Sequence, residues 1–240
     1  MLPTETGRAS RVAASALVGV GPRPVAKHSV VDLVADEVRR SIVDGSLAAG
    51  APISITALSA RLEVSHIPVR EALRRLEGQG VIEFRQGRSA VVAPINVADL
   101  CDLLDARLLL ESDLVARAAR TASAAEVAVS DEALGHLASA DRDDPREVAA
   151  CHGAFHRALA GPAASTWEQG LLEVLEHAFD RYVPLLLAGR SLDGSGELGA
   201  QHRALVAALA ARDPRAARAA VRQHVEGTAR ELRPLLAALA

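Results

Sequence analysis

The sequence predicts a mainly α chain: an N-terminal winged helix-turn-helix followed by a C-terminal all-helical bundle of about six helices. Three observations carry this. Half of the 240 residues are apolar and only 2% are aromatic, with alanine throughout, which suits close-packed helices better than a sheet sandwich. Apolar residues recur at helical spacing from Ser29 onward, with breaks, to the end of the chain. One stretch, "VIEFRQGRSAVVAP", interrupts that period with two β-prone runs around Gln86-Gly87, the signal for a hairpin.

Val30, Val34, Val38 and Ile42 form a stripe of period four, with Asp32, Asp36, Arg39 and Arg40 off it, so a first helix is expected from Ser29 to about Asp44-Gly45. "SLAAGAP" reads as a turn. Ile55 to Leu62 is a second, shorter helix with Leu58 and Leu62 inward. Ser65 is placed to cap a third through its hydroxyl, and Pro68 is tolerated in that helix's first turn. Val69, Ala72, Leu73 and Leu76 then give a buried face, while Arg70 and Arg74 point elsewhere. Beyond the hairpin a long helical segment runs from Val97 to Ala122, with Leu100, Leu104, Arg107, Leu108, Glu111 and Val115 on its stripe. "DRDDPREV" starts another helix at Pro145, "AGPAAS" and "AGRSLDGSGE" are loops, and "ARDPRAA" is a tight turn between two helices. The expected division is a loose extension over 1–28, a winged helix-turn-helix over 29–95 and an all-helical domain over 96–240.

Charge and composition exclude several classes. No run reaches the ~18 apolar residues of a membrane span, and the patch from Ala13 to Val20 is short and followed by Gly and Pro, which fits an extension better than a secretion signal. Cys101 and Cys151 are far apart and suit a reducing, cytoplasmic setting. No HExxH, nucleophile elbow or glycine-rich phosphate loop is present, so an enzyme is not expected. The net charge of -3 conceals an asymmetry: residues 1–95 carry 12 Lys and Arg against 9 Asp and Glu, and the remainder 15 against 21. Any nucleic-acid affinity must come from placement.

Placement supplies it. A helix, a turn and a capped helix with arginines in its first turns fit a helix-turn-helix, whose recognition helix enters the major groove by its N-terminal end. There the positive helix dipole and the arginines serve phosphates and base edges together. Thr56, Ser65, His66, Ile67, Arg70 and Arg74 are the candidate contacts on the helices. Arg85, Gln86, Gly87 and Arg88 are those on the wing, and double-stranded DNA is the expected partner.

The run "ALSARLEVSHIPVREALRRLEGQGVI" followed by "FRQGRSAVVAP" closely resembles the winged helix-turn-helix of the GntR family of bacterial transcription regulators, most specifically through Ser65, Pro68, Val69, Arg70, Glu71, Ala72 and Leu73. Three positions depart from the family pattern. His66 stands where relatives usually carry Arg, Ile67 where they carry Thr, and Thr56 where an Arg often sits. His66 offers one base contact in place of a bidentate pair, and Ile67 a thymine-methyl contact.

Four histidines point to a second site. His152 and His156 are four residues apart, on one helix face. His202 lies 10 residues before Arg212 and His224 lies 10 after Pro214, so if these two helices fold back at the turn, both imidazoles sit at one level, ~15 Å from it. Four imidazoles converging in a helix bundle suit a divalent transition metal, with solvated surface histidines as the alternative. "RLLLESDLVARAA", "FHRALA" and "HRALVAALAARDPRAARAAVRQH" resemble the FCD effector domain of the FadR branch of the same family. The resemblance implies a divalent metal, zinc foremost and nickel among the others, on His156, His202 and His224, with His152 where the family has Asp or Asn. It also implies a bound small carboxylate effector. Arg107 matches a family arginine: it is either an ion-pair partner of Glu111, four residues on, or a carboxylate clamp facing the pocket.

The function implied is a ligand-responsive transcription regulator, in the first instance a repressor, binding a pseudo-palindromic operator as a homodimer and releasing it on effector binding. A histidine-ligated metalloenzyme with an accessory DNA-binding domain, and a regulator with a purely structural metal, are the alternatives.

Overall fold

The computed structural model describes residues 29–85, 89–189 and 196–239. Ser29 caps α1 (Val30–Val43) in a capping box, its Oγ accepting from the Asp32 N–H while the Asp32 carboxylate accepts from the Ser29 N–H. Val34, Val38 and Ile42 of the expected stripe are buried. A two-residue strand, β1 (Pro52–Ile53), precedes α2 (Ile55–Leu62), α3 (His66–Gly78), β2 (Ile82–Phe84) and β3 (Ala90–Val92). The sheet is antiparallel in the order β1-β3-β2, with Ile53 opposite Ala90 and Glu83 opposite Val91. Sequence reasoning anticipated β2 and β3 and missed β1, whose pairing on the wing strand is non-local.

Ser65 is the N-cap residue of α3, but its side chain makes no cap bond, contrary to expectation. The reason is local. The cap oxygens of α1 and α2 accept from the N–H of the third helical residue, and the third residue here is Pro68, which has none.

A first cluster of buried side chains gathers Val34, Val38 and Ile42 of α1, Val69, Ala72, Leu73 and Leu76 of α3, and Ile82, Ala90 and Val92 of the sheet. A second, larger cluster fills the helices that follow: α4 (Val97–Thr121), α5 (Ala124–Ser139), α6 (Pro145–Ala160), α7 (Thr166–Phe179), α8 (Val183–Ala188), α9 (Glu197–Ala210) and α10 (Pro214–Ala237). Six of these are long, as expected, and α8 is a single short turn after the 3-10 segment Asp180–Tyr182. α10 packs along α4 and α9, and α5 along α6. Asp144 and Asp213 cap α6 and α10, each helix beginning with proline, so the missing N–H falls where no bond is lost. The loop "AGPAAS" carries a 3-10 turn at Gly161–Ala163.

Polar contacts join the two cores. Arg146, at the start of α6, pairs with Asp44 at the end of α1. Arg181 donates to the Pro94 carbonyl, which lies between the sheet and α4, at 3.1 Å. Arg39 of α1 donates to Gln79 at 2.9 Å and faces Nδ1 of His177 on α7 at 3.5 Å.

Burial, reinforced by Arg39, pushes the His177 pKa down to about 4, so the folded chain keeps it neutral. As pH falls from 7 to 5 the unfolded chain takes up a proton that the folded chain refuses, and stability is lost. Relative to His177→Gln, the parent is therefore expected to lose roughly 1–2 kcal/mol over that window, read from denaturant melts of both proteins. Burial pushes Glu176 up to about 7 and Asp180 up to about 8, a trend of opposite sign. Comparing the two proteins isolates His177. Equal pH profiles would show that its ring is not held neutral.

Candidate functional site

The outer surface of α3 is set by what its inner surface must bury. Val69, Ala72, Leu73 and Leu76 are all fully buried, which turns Arg70 and Arg74 outward. His66, Ile67 and Arg70 are exposed across the first two turns, and Ile67, 70% exposed, is a large apolar side chain with no packing role. Thr56 and Ser65 are exposed beside them. Arg74 lies over the Phe84 ring of β2 at 5.7 Å, which ties the recognition helix to the wing. Arg75 is bound to Asp32 of α1 and belongs to the scaffold. On the wing, Arg85 is exposed and its N–H bonds the Ser89 carbonyl at 3.0 Å. Gln86, Gly87 and Arg88 lie outside the described residues.

The four histidines come together. One candidate ligand atom from each of His152, His156, His202 and His224 lies within 4.8 Å of the others, and all four residues are buried. The α9–α10 hairpin brings His202 and His224 to the same level, with ring centroids 4.6 Å apart. α6 presents its pair one turn apart, with centroids at 4.5 Å. The surface alternative is therefore excluded for this cluster.

Burial first, then the proximity of the other imidazoles and Arg107, depresses the basicity of each ring. His202 is pushed down to about 3. All four are neutral, the form that donates a lone pair to a metal. Nε2 of His156, Nε2 of His202 and both ring nitrogens of His224 are buried without a hydrogen-bond partner, a costly arrangement for an apolar interior and a suitable one for a cation. The residues present fit a divalent transition metal.

Glu111 organises this cluster, a role sequence reasoning missed. One carboxylate oxygen lies 3.1 Å from His156 Nδ1 and the other accepts from Arg107 Nε at 2.6 Å. A carboxylate acceptor fixes the proton on Nδ1 and leaves Nε2 as the free donor atom. The clue was available: Arg107 and Glu111 lie on the same stripe as Leu100, Leu104 and Val115, where a solvated ion pair has no place.

Arg107 is 1% exposed, stacks over Phe179 at 4.7 Å and keeps Nη2 buried without a partner. It pairs with Glu111 through Nε, the first of the two expected arrangements, and keeps one nitrogen of the fork without a partner. A cavity of about 280 Å³ between α5 and α9, lined by Leu134, Leu137, Arg142, His202 and Arg203, reaches the cluster from outside. That is near the lower end of the range for small-molecule sites. Cys151, next to His152 in sequence, is only half-buried and is not one of the four. Glu176 is held by Arg157.

A winged helix-turn-helix with arginines on its outer surface, joined to a helical bundle with a buried histidine cluster, is the architecture of a transcription regulator. The chain belongs to the GntR family of bacterial regulatory proteins: residues 31–92 match that family and residues 102–227 match the FCD domain. FCD domains often bind metals. It is 30% identical over 216 residues to the HTH-type regulator BphR of Paraburkholderia xenovorans, covering 86% of this chain and 87% of that one. It is 28% identical over 231 residues to the Glc operon transcriptional activator of Escherichia coli K12, covering 86% and 90%. The fold is similar to that of E. coli McbR/YncC, with a TM-score of 0.73 at 20% identity, over 89% of this chain and 100% of that one. Regulators of this family bind DNA, typically as dimers, and several other relatives are repressors. Among the described residues no helix is long and apolar enough to cross a membrane.

Proposed function

We propose that the protein is a metal-dependent, acid-responsive regulator: a DNA reader over residues 29–95 and a sensor over 96–240, preceded by an extension over 1–28. It binds a pseudo-palindromic operator as a homodimer, with the outer surface of α3 in the major groove and the wing on the adjacent backbone. Repression with release on effector binding is the mode we favour, because relatives that act as repressors are well represented.

The single observation that carries the sensor reading is the set of unpartnered imidazole nitrogens beside the unpartnered Nη2 of Arg107. His152, His156, His202 and His224 would hold the metal, which supplies a Lewis-acidic centre that attracts an anion. Arg107 would take the effector's carboxylate through the nitrogen that Glu111 leaves unused. With four neutral donors the metal's charge is not cancelled by its ligands, so an anionic effector is favoured.

The route to the DNA is short. α6 carries His152 and His156, and its second residue, Arg146, binds Asp44, the residue that ends α1. Six residues of helix separate Arg146 from His152, about 9 Å. A shift of α6 on effector binding would be felt directly at the reader, with a coupling no larger than the effector's differential affinity for the two arrangements.

Selection of bound duplexes from a random pool, repeated with a panel of small carboxylic acids, tests the proposal. An enriched inverted repeat that one acid releases is the expected result. Enrichment of no sequence would overturn it.

A further inference from the structure

One outward side chain of the recognition helix differs in kind from its neighbours. Ile67 is the second residue of α3, is 70% exposed and belongs to neither buried cluster. Every other exposed side chain of α3 is charged or polar, including His66 just before it. Isoleucine is branched at Cβ and strongly prefers one rotamer in a helix, so Ile67 is a stiff apolar probe at the end of the helix that meets the groove first.

The major groove offers such a probe one partner. The base edges there carry hydrogen-bond donors and acceptors, and the only apolar substituent among them is the C5 methyl of thymine. Cytosine methylated at C5 carries the same methyl at the same ring position. The two bases then differ at C4, where thymine has an accepting oxygen and cytosine a donating amino group. The side chain beside Ile67 does not force that choice. A neutral imidazole has one donor and one acceptor nitrogen, whereas lysine or arginine at position 66 could only donate.

We propose that Ile67 makes the protein a reader of C5-methylated pyrimidines. It takes thymine or 5-methylcytosine at one position of each half-site and disfavours the unmethylated bases, so operator affinity responds to cytosine methylation. This rests on the reading of α3 as the recognition helix and adds what its first turn selects. A methyl group buried against the isoleucine adds ~0.8 kcal/mol, about 4-fold in affinity, and two half-sites together give about 15-fold.

The test starts from the duplex that the full chain selects most strongly from a random pool. Each thymine is replaced in turn by uracil, which lacks only the methyl, and at the position that responds cytosine is compared with 5-methylcytosine. Binding is measured for the parent, Ile67→Val and Ile67→Ser, with circular dichroism as the check on folding. For the parent, one thymine per half-site is expected to lose about 4-fold as uracil, and 5-methylcytosine to bind about 4-fold more tightly than cytosine there. Ile67→Val should keep both differences and Ile67→Ser should lose both. No response to uracil at any position, equal binding of cytosine and 5-methylcytosine, or unchanged differences in Ile67→Ser would overturn the methyl reading and leave DNA recognition by α3 standing. A selection that enriches no duplex would overturn both.

Discussion

Purified without chelator and without a nickel column, the protein is expected to carry one equivalent of divalent transition metal per chain, and His224→Ala is expected to lose it. His224 is the informative position. Both of its ring nitrogens are buried and unpartnered, so truncation removes a metal donor and the ring's packing but breaks no side-chain hydrogen bond within the protein. At a free metal concentration 1,000-fold above the dissociation constant, binding stabilises the native state by about 4 kcal/mol, or ~8–16 °C in melting temperature for a chain of this size. The parent should show that difference between metal-loaded and chelated samples, and His224→Ala should show almost none of it. Elemental analysis and thermal melts decide the matter. A parent free of metal, whose melting temperature does not respond to added zinc, would remove the basis for the site. Loss of the effector response after chelation, in protein still folded, would further distinguish a sensing metal from a structural one.

The second large effect is expected at the recognition helix. Arg70→Ala should weaken operator binding by about 10–100-fold, the range for a lost base or backbone anchor on a recognition helix. Arg75→Ala, five residues further along the same helix, should leave it within a few fold, because Arg75 is engaged with Asp32. Binding isotherms at several salt concentrations also reveal what Arg70 touches. A phosphate contact lowers the slope of log K against log salt by about 0.9, while a base contact leaves the slope unchanged and relaxes discrimination at one position. An Arg70→Ala protein that binds as tightly as the parent would mean that α3 does not read DNA.

The reader was legible because its determinants are local. The stripe Val69, Ala72, Leu73, Leu76 is written within eight residues, and it dictates which arginines turn outward. The histidine cluster was half legible. Spacing placed His152 and His156 on one face, and counting back from the Asp213-Pro214 turn placed His202 and His224 at one level. It could not say that the two pairs meet, which depends on α6 and the α9–α10 hairpin packing into one core. Ser65 shows the reverse case: a local rule, the hydroxyl cap, failed for a local reason, the missing N–H of Pro68.

Sequence alone determined the order of elements, the buried faces of the helices and the residue types able to bind DNA or a metal, because a helix repeats every 3.6 residues and its faces can be read in a short window. Tertiary structure decided the partners. Glu111 reaches His156 across 45 residues, Arg146 reaches Asp44 across 102, and Arg39 faces His177 across 138. No periodicity encodes such pairings. They arise when two apolar faces pack and carry their polar neighbours together. That packing turned Arg107 from one half of a surface ion pair into a buried guanidinium beside four imidazoles.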